Sequence, residues 1–258
     1  MYIRYSYRFE NSVEYEFHYA GKYGLPSEKR AKRCNKTKDA VIKYNQKVKE
    51  NRVRRLIKAN FRKWDYWITL KYPKGTRKDI EDVKKDIRKF LDSLRRKYKR
   101  RNKELKFIYR IEIGAQGGIH CHMILPRIGD GDLIIQESWK EGRVYFESLY
   151  EQGGYESLAH YIVKKPTEEV EKQLSLFDLE DRKQLIKYST SRNLIRPHPE
   201  KKKYMRWTMR KIIDEGPKPS KGYYIDKSSI KAGISQWTGM SYLYYTEILV
   251  KEDKNESC

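Results

Sequence analysis

The sequence predicts an α+β protein: an antiparallel sheet of the split βαβ type with helices on one face, preceded by a basic hairpin and helix and followed by a C-terminal extension. Three observations carry this. Between Tyr66 and Leu149 the segments read strand, helix, strand, strand, helix, strand, the order of a split βαβ unit. The first of those helices is the firmest in the chain, because Ile80, Val83, Ile87, Phe90, Leu91, Leu94 and Tyr98 recur at steps of three and four. Phe107 to Ile113 and Ile119 to Leu125, rich in β-branched and aromatic residues, flank Gly114, Gly117 and Gly118 as the arms of a hairpin. Helices on one side of such a sheet leave its other face for a substrate. The chain divides accordingly into 1–62, 63–166 and 167–258.

Each element follows from local chemistry. Aromatic and polar residues alternate around Glu10-Asn11, predicting a hairpin of Tyr2 to Phe9 and Val13 to Tyr19, which Gly21, Gly24 and Pro26 end. Ser27 to Lys38 has little to bury and reads as a basic linker. A helix from Lys38 to Asn60 carries Val41, Tyr44, Val48, Leu56 and Ile57 as a loose stripe among basic residues. Tyr66 to Tyr72 is a strand stopped by Pro73 and Gly75. After the central hairpin, Leu133 to Trp139 reads as a helix and Val144 to Leu149 as a strand, separated by Gly142. A helix from Tyr155 to Lys165 is closed by Pro166, with Leu158 and Ile162 as its buried stripe. Further on, Val170 to Tyr188 reads as helix, Tyr188 to Asn193 as a polar run suited to phosphates or a helix cap, and Tyr223 to Asp226 and Tyr242 to Leu249 as terminal strands pairing with the first hairpin.

Composition narrows the partner. The 258 residues hold 58 Lys and Arg against 35 Asp and Glu, a formal net of +23, far beyond what solubility requires. The chain also holds 22 tyrosines, and rings interleaved with basic side chains suit unstacked bases. A nucleic acid, partly single-stranded, is the expected partner. No apolar run reaches transmembrane length and no signal peptide opens the chain, so no membrane is expected. Cys34, Cys121 and Cys258 offer neither a disulfide framework nor a metal knuckle, which points to a reducing, cytoplasmic setting. No phosphate-binding Gly-x-x-x-x-Gly-Lys-[Ser/Thr] loop occurs, so no attached helicase motor is expected.

The chemistry-bearing residues lie in the central hairpin. On a strand His120 and His122 share a face, and Cys121 points the other way. If paired residue numbers sum to about 232, Glu112 stands opposite His120, with Cβ atoms roughly 5 Å apart. Two imidazoles and a carboxylate suit a divalent metal that keeps positions open for water or substrate. The bland alternative is two histidines on a solvated strand. On the later helix Tyr161 and Lys164, three apart, emerge side by side. Alone, such a pair reads as an amphipathic rim.

In order, the strand containing Ile68-Thr69-Leu70, the strand Gly117-Gly118-Ile119-His120-Cys121-His122-Met123-Ile124-Leu125 and the helix bearing Tyr161-Ile162-Val163-Lys164 resemble the HUH endonucleases. The likeness is to the rolling-circle replication initiators with a single catalytic tyrosine. It runs from about Tyr66 to Lys165, and the Tyr188 to Pro197 run is similar to a subgroup of bacterial plasmids, phages and integrated elements. That family usually has a bulky hydrophobe between its histidines, where this chain has Cys121.

The resemblance implies an HUH, ferredoxin-like core in which His120, His122 and Glu112 hold Mg²⁺ or Mn²⁺ and Tyr161 attacks a phosphate of single-stranded or hairpin origin DNA. A 5′-phosphotyrosine and a free 3′-OH would result, with a host helicase and polymerase continuing replication. Lys164 would favour the phenolate or steady the phosphate, since a free tyrosine has a pKa of about 10. His160 and Lys165, turned roughly 100° away on the helix, are second choices. Trp64, Trp67 and Trp139 are candidates for base stacking or for the core. A relaxase or single-strand transposase would use the same groups. A non-catalytic, basic nucleic-acid-binding protein with an incidental His-x-His is the reading from a different class.

Overall fold

The computed structural model describes residues 1–21, 31–76, 78–114, 118–150, 152–165 and 187–250. The turn residues 115–117, part of the basic linker and the expected helix over Val170 to Tyr188 up to residue 186 lie outside them, while Tyr188 itself is in a strand rather than a helix. The chain forms two compact units, Met1–Lys43 with Pro197–Cys258, and Tyr44–Arg196. Each is built on one antiparallel five-stranded sheet.

In the Tyr44–Arg196 unit, β3 (Tyr66–Lys71), α2 (Ile80–Arg100), β4 (Ile108–Ile113), β5 (Ile119–Leu125), α3 (Gly131–Ser138) and β6 (Arg143–Ser148) follow in the expected order. The sheet runs β6-β3-β5-β4-β7, with β7 (Tyr188–Thr190) added at the β4 edge. The apolar stripe of α2 does what its spacing demands. Ile80, Val83, Ile87, Phe90, Leu94 and Tyr98 are buried against Ile68, Leu70, Ile111, Met123 and Leu125 and against Ile134, Ile135 and Trp139 around α3. Each buried aliphatic or phenyl side chain of this set contributes roughly 1.5–3 kcal/mol. The turn before β6 needs Gly142, because a Cβ there would run into the Lys71 carbonyl.

The opposite face of this sheet carries helices too. Its Trp67, Ile108 and Ile124 end is apolar and must be covered. Val53, Leu56 and Ile57 of α1 (Lys38–Asn60) and Ala159 and Ile162 of α4 (Glu156–Val163) cover it. Only the second half of the α1 stripe is used in this way, since Tyr44 and Val48 are exposed. What α1 and α4 leave is the polar end of the face, where Glu112 and the two histidines stand.

The other unit has the sheet order β8-β1-β2-β10-β9. The N-terminal hairpin β1 (Tyr2–Arg8) and β2 (Ser12–Tyr19) is as expected, and β10 (Ser241–Leu249) pairs with β2. The strand β9 extends over Tyr223–Ile234 and pairs with β10 rather than with the hairpin. Two elements were invisible in sequence: β8 (Glu200–Tyr204), a lysine-rich edge strand beside β1, and α5 (Arg206–Glu215). Met209 of α5, with Ile212 and Ile213, packs on one sheet face against Tyr2, Val13, Tyr15, Phe17, Leu243 and Tyr245. No helix of the described residues is long and apolar enough to cross a membrane.

Candidate active site

The hairpin register is the one its sequence implies. Glu112 pairs with His120 and Arg110 with His122, so the numbers sum to 232 and all four side chains leave the sheet on one face. Glu112 Oε2 lies 3.6 Å from His120 Nε2 and 3.3 Å from His122 Nε2. The ligating atoms of the three residues all fall within 4.8 Å of one another.

The histidine orientation is itself supported. Thr69, opposite His122 on β3, hydrogen-bonds His122 Nδ1 through Oγ1 at 3.0 Å. Trp67 stacks on the same imidazole, with ring centroids 5.3 Å apart and planes 10° off parallel. Nε2 is thereby turned toward Glu112, the outer arrangement that fixes a ligating imidazole. One carboxylate and two imidazoles, converging and half-buried, fit a divalent cation. Cys121 faces the α2 side, 3 % exposed, so no thiolate competes.

Helix α4 brings the phenol. Tyr161 donates its hydroxyl proton to Glu112 Oε2 at 2.5 Å and lies 2.8 Å from His122 Nε2. Arg110 holds the end of that helix: its Nη1 donates to the carbonyls of Tyr161, Ile162 and Lys164 at 3.1, 3.0 and 2.9 Å. These are carbonyls at the helix end, which the helix itself leaves without partners. Lys164 sits just beyond α4, its backbone extended at φ −55° and ψ 144°, rather than on the helix face. The early stop agrees with the sequence, since Lys165 precedes a proline and a residue in that position is disfavoured in the helical region. The lysine still reaches the site, with Nζ 2.9 Å from Glu112 Oε1 and 4.0 Å from the centroid of the Tyr161 ring.

Charge follows from these contacts. Burial opposes the Glu112 anion, but hydrogen bonds from His120, His122, Tyr161 and Lys164 outweigh it and hold the carboxyl well below the usual range. Burial also lowers the His122 pKa, keeping the imidazole neutral and able to ligate, against the raising effect of Glu112. The Tyr161 phenol is pushed up, first by burial and then by its bond to the Glu112 carboxylate. Lys164 thus neutralises the acid and lies against the ring, while the group that touches the hydroxyl is an anion.

The structure also sorts the other candidates. His160 Nδ1 lies 2.8 Å from Glu50 Oε1 on α1, and Lys165 is exposed. Trp139 is core, Trp67 supports His122, and Trp64 is 48 % exposed. In the polar run, Ser191 Oγ accepts from the Phe107 backbone N–H and Asn193 donates to the Leu105 carbonyl, so both serve the fold. Sequence reasoning missed Arg110 and the roles of Thr69 and Trp67. Arg110 had a signal, a charge two residues from Glu112 on the same strand face; the others needed the pairing of β3 with β5.

A sheet-borne acid and imidazole pair that could hold a metal ion stands within hydrogen-bond distance of a helix-borne phenol. Residues 65–166 match a family model of replication-associated proteins, the ORF2 type, which is consistent with a Rep-type HUH endonuclease. The match covers less than half of the chain and includes Glu112, His120, His122, Tyr161 and Lys164. It supports a role in initiating replication and implies that the protein binds DNA. No curated protein and no solved structure matches the chain.

Proposed function

We propose that this protein initiates rolling-circle replication by nicking and rejoining single-stranded origin DNA through Tyr161. What supports the reading most is the position of the Tyr161 hydroxyl, 2.5 Å from Glu112 Oε2 and 2.8 Å from His122 Nε2, inside a segment of the replication-associated family. Glu112, His120 and His122 would hold Mg²⁺ or Mn²⁺, which when bound supplies Lewis-acid stabilisation of a scissile phosphate oxygen. Tyr161 Oη attacks phosphorus, forming the bond to the 5′ side as the P–O3′ bond breaks; the phenol proton passes to solvent water and the leaving 3′ oxygen takes one up from solvent water. Arg110 fixes the backbone that carries the nucleophile. Lys164 keeps the acid paired and stands within reach of an incoming phosphate. The phosphotyrosine stores the bond energy, so attack by a 3′-OH reverses the step and rejoins the strand. A polymerase would extend the freed end, with a helicase acting in trans.

The test is direct. Overlapping single-stranded oligonucleotides from the DNA of the encoding element are incubated with Mn²⁺ and protein, then resolved on a denaturing gel. Wild type should give a nicked product with protein on its 5′ end, and Tyr161→Phe should give neither. An adduct that persists in Tyr161→Phe eliminates this tyrosine as the nucleophile.

A further inference from the structure

The sheet of the Met1–Lys43 and Pro197–Cys258 unit has one face packed on α5 and a second face that the apolar cluster of the described residues does not use. A row of rings crosses that second face. Tyr5 on β1 meets His18 on β2, centroids 5.7 Å apart; His18 meets Tyr244 on β10 at 5.2 Å; Tyr244 meets Tyr242 at 5.2 Å. The pairing puts lysines at both ends, since Lys201 stands opposite Tyr5 on one edge strand and Lys231 opposite Tyr244 on the other. Lys201 Nζ lies 5.6 Å from the Tyr5 ring. Lys203, opposite Ile3, adds a further charge on the β8 edge.

We propose that this face is a second nucleic-acid site, a stacking platform for single-stranded DNA carried by a different unit from the phenol-bearing centre. The rings are set edge-to-face, 68° between Tyr5 and His18 and 62° between His18 and Tyr244, so Tyr5 and Tyr244 act as separate stacking partners for unpaired bases of any identity, and flanking ammonium groups take the phosphates. Tyr5 and Tyr244 belong to strands separated by β2, hence about 10 Å apart at the usual strand spacing, which leaves room for successive bases rather than for one. The acids on the same face do not break the match. Glu14 is buried at 3 % exposure, the Glu16 carboxylate lies 3.5 Å from His18 Nε2, and Asp226, opposite Thr246 on the same face, accepts from the backbone N–H and hydroxyl of Ser228 at 2.9 and 2.6 Å. A duplex hides its base faces and would meet only the lysines. The choice of DNA over RNA rests on the replication-associated match; the platform itself stands whether or not Tyr161 cuts.

Binding is therefore measured without cleavage, on full-length protein carrying Tyr161→Phe, in EDTA, by fluorescence anisotropy of labelled oligothymidylate. Tyr5→Ala with Tyr244→Ala should weaken binding about tenfold or more, the usual effect of losing stacked rings. Tyr5→Phe with Tyr244→Phe keeps the rings and should stay within about twofold, circular dichroism confirming that both variants fold. Duplex DNA should compete poorly. The platform is overturned if the alanine pair binds like its parent, if the phenylalanine pair loses as much as the alanine pair, or if duplex competes equally. Tighter binding of oligouridylate than of oligothymidylate overturns the commitment to DNA.

Discussion

The two sheets of this protein are made from similar strands but use their faces in opposite ways. In the Tyr44–Arg196 unit helices lie on both faces, and the charged groups stand where the cover ends, each fixed by several partners: Glu112 by two imidazoles, a phenol and an ammonium, and Arg110 by three carbonyls. In the other unit the apolar cluster with α5 lies on one face, and the second displays rings and lysines. Partial burial raises the strength of each polar contact and holds geometry to a few tenths of an ångström, as bond-making chemistry requires. A partly exposed ring surface gives up that precision and gains tolerance for any base.

Variants can break or sharpen this contrast. The largest effect is expected at the fixed centre: His120→Ala should cut nicking on the order of 10³-fold by removing a metal ligand, and chelation should do the same to wild type. Salt-sensitive DNA binding, measured by anisotropy, should survive in His120→Ala; joint loss of binding and fold would make the histidine structural. Next come the cores. Phe17→Ala and Phe90→Ala should each cost about 3–5 kcal/mol, and calorimetry should show each lowering the transition of its own unit. A single transition lowered alike by both would dissolve the distinction.

Arg110→Lys keeps the charge but loses the planar guanidinium, whose length and stiffness set Nη1 against three carbonyls. Misplacing the phenol should slow nicking roughly 10²-fold with DNA affinity unchanged. A loss of affinity instead would mean that Arg110 contacts DNA. The smallest effect is expected from Thr69→Val, which preserves shape and removes the bond to His122 Nδ1. The Mn²⁺ concentration for half-maximal nicking should rise about tenfold, and an unchanged value would show that Trp67 stacking suffices to orient the ring.

Much of the centre was legible because it depends on short-range periodicity. The two-residue repeat of a strand put His120 and His122 on one face, and the glycine turn set the register that brought Glu112 opposite them. The three-and-four spacing of α2 named its buried face outright. Legibility failed where burial or pairing overrode local preference. Glu200-Lys201-Lys202-Lys203-Tyr204 looks like solvated charge and becomes strand β8 only because β1 offers an unpaired edge. Tyr188-Ser189-Thr190 has phosphate-binding composition and is instead an added strand on β4.

The amino-acid order by itself determined that two imidazoles and an acid share one face of a hairpin in a strongly basic α+β chain, because that rests on strand alternation and a short turn, whereas the later phenol was joined to them only by the resemblance. Only the tertiary structure decided that Tyr161 meets Glu112 and His122, that Lys164 lies past the helix end, and that Arg110, Thr69 and Trp67 hold the site in place. Those contacts join strands and helices dozens of residues apart, where close packing of whole elements, rather than local propensity, selects the neighbours.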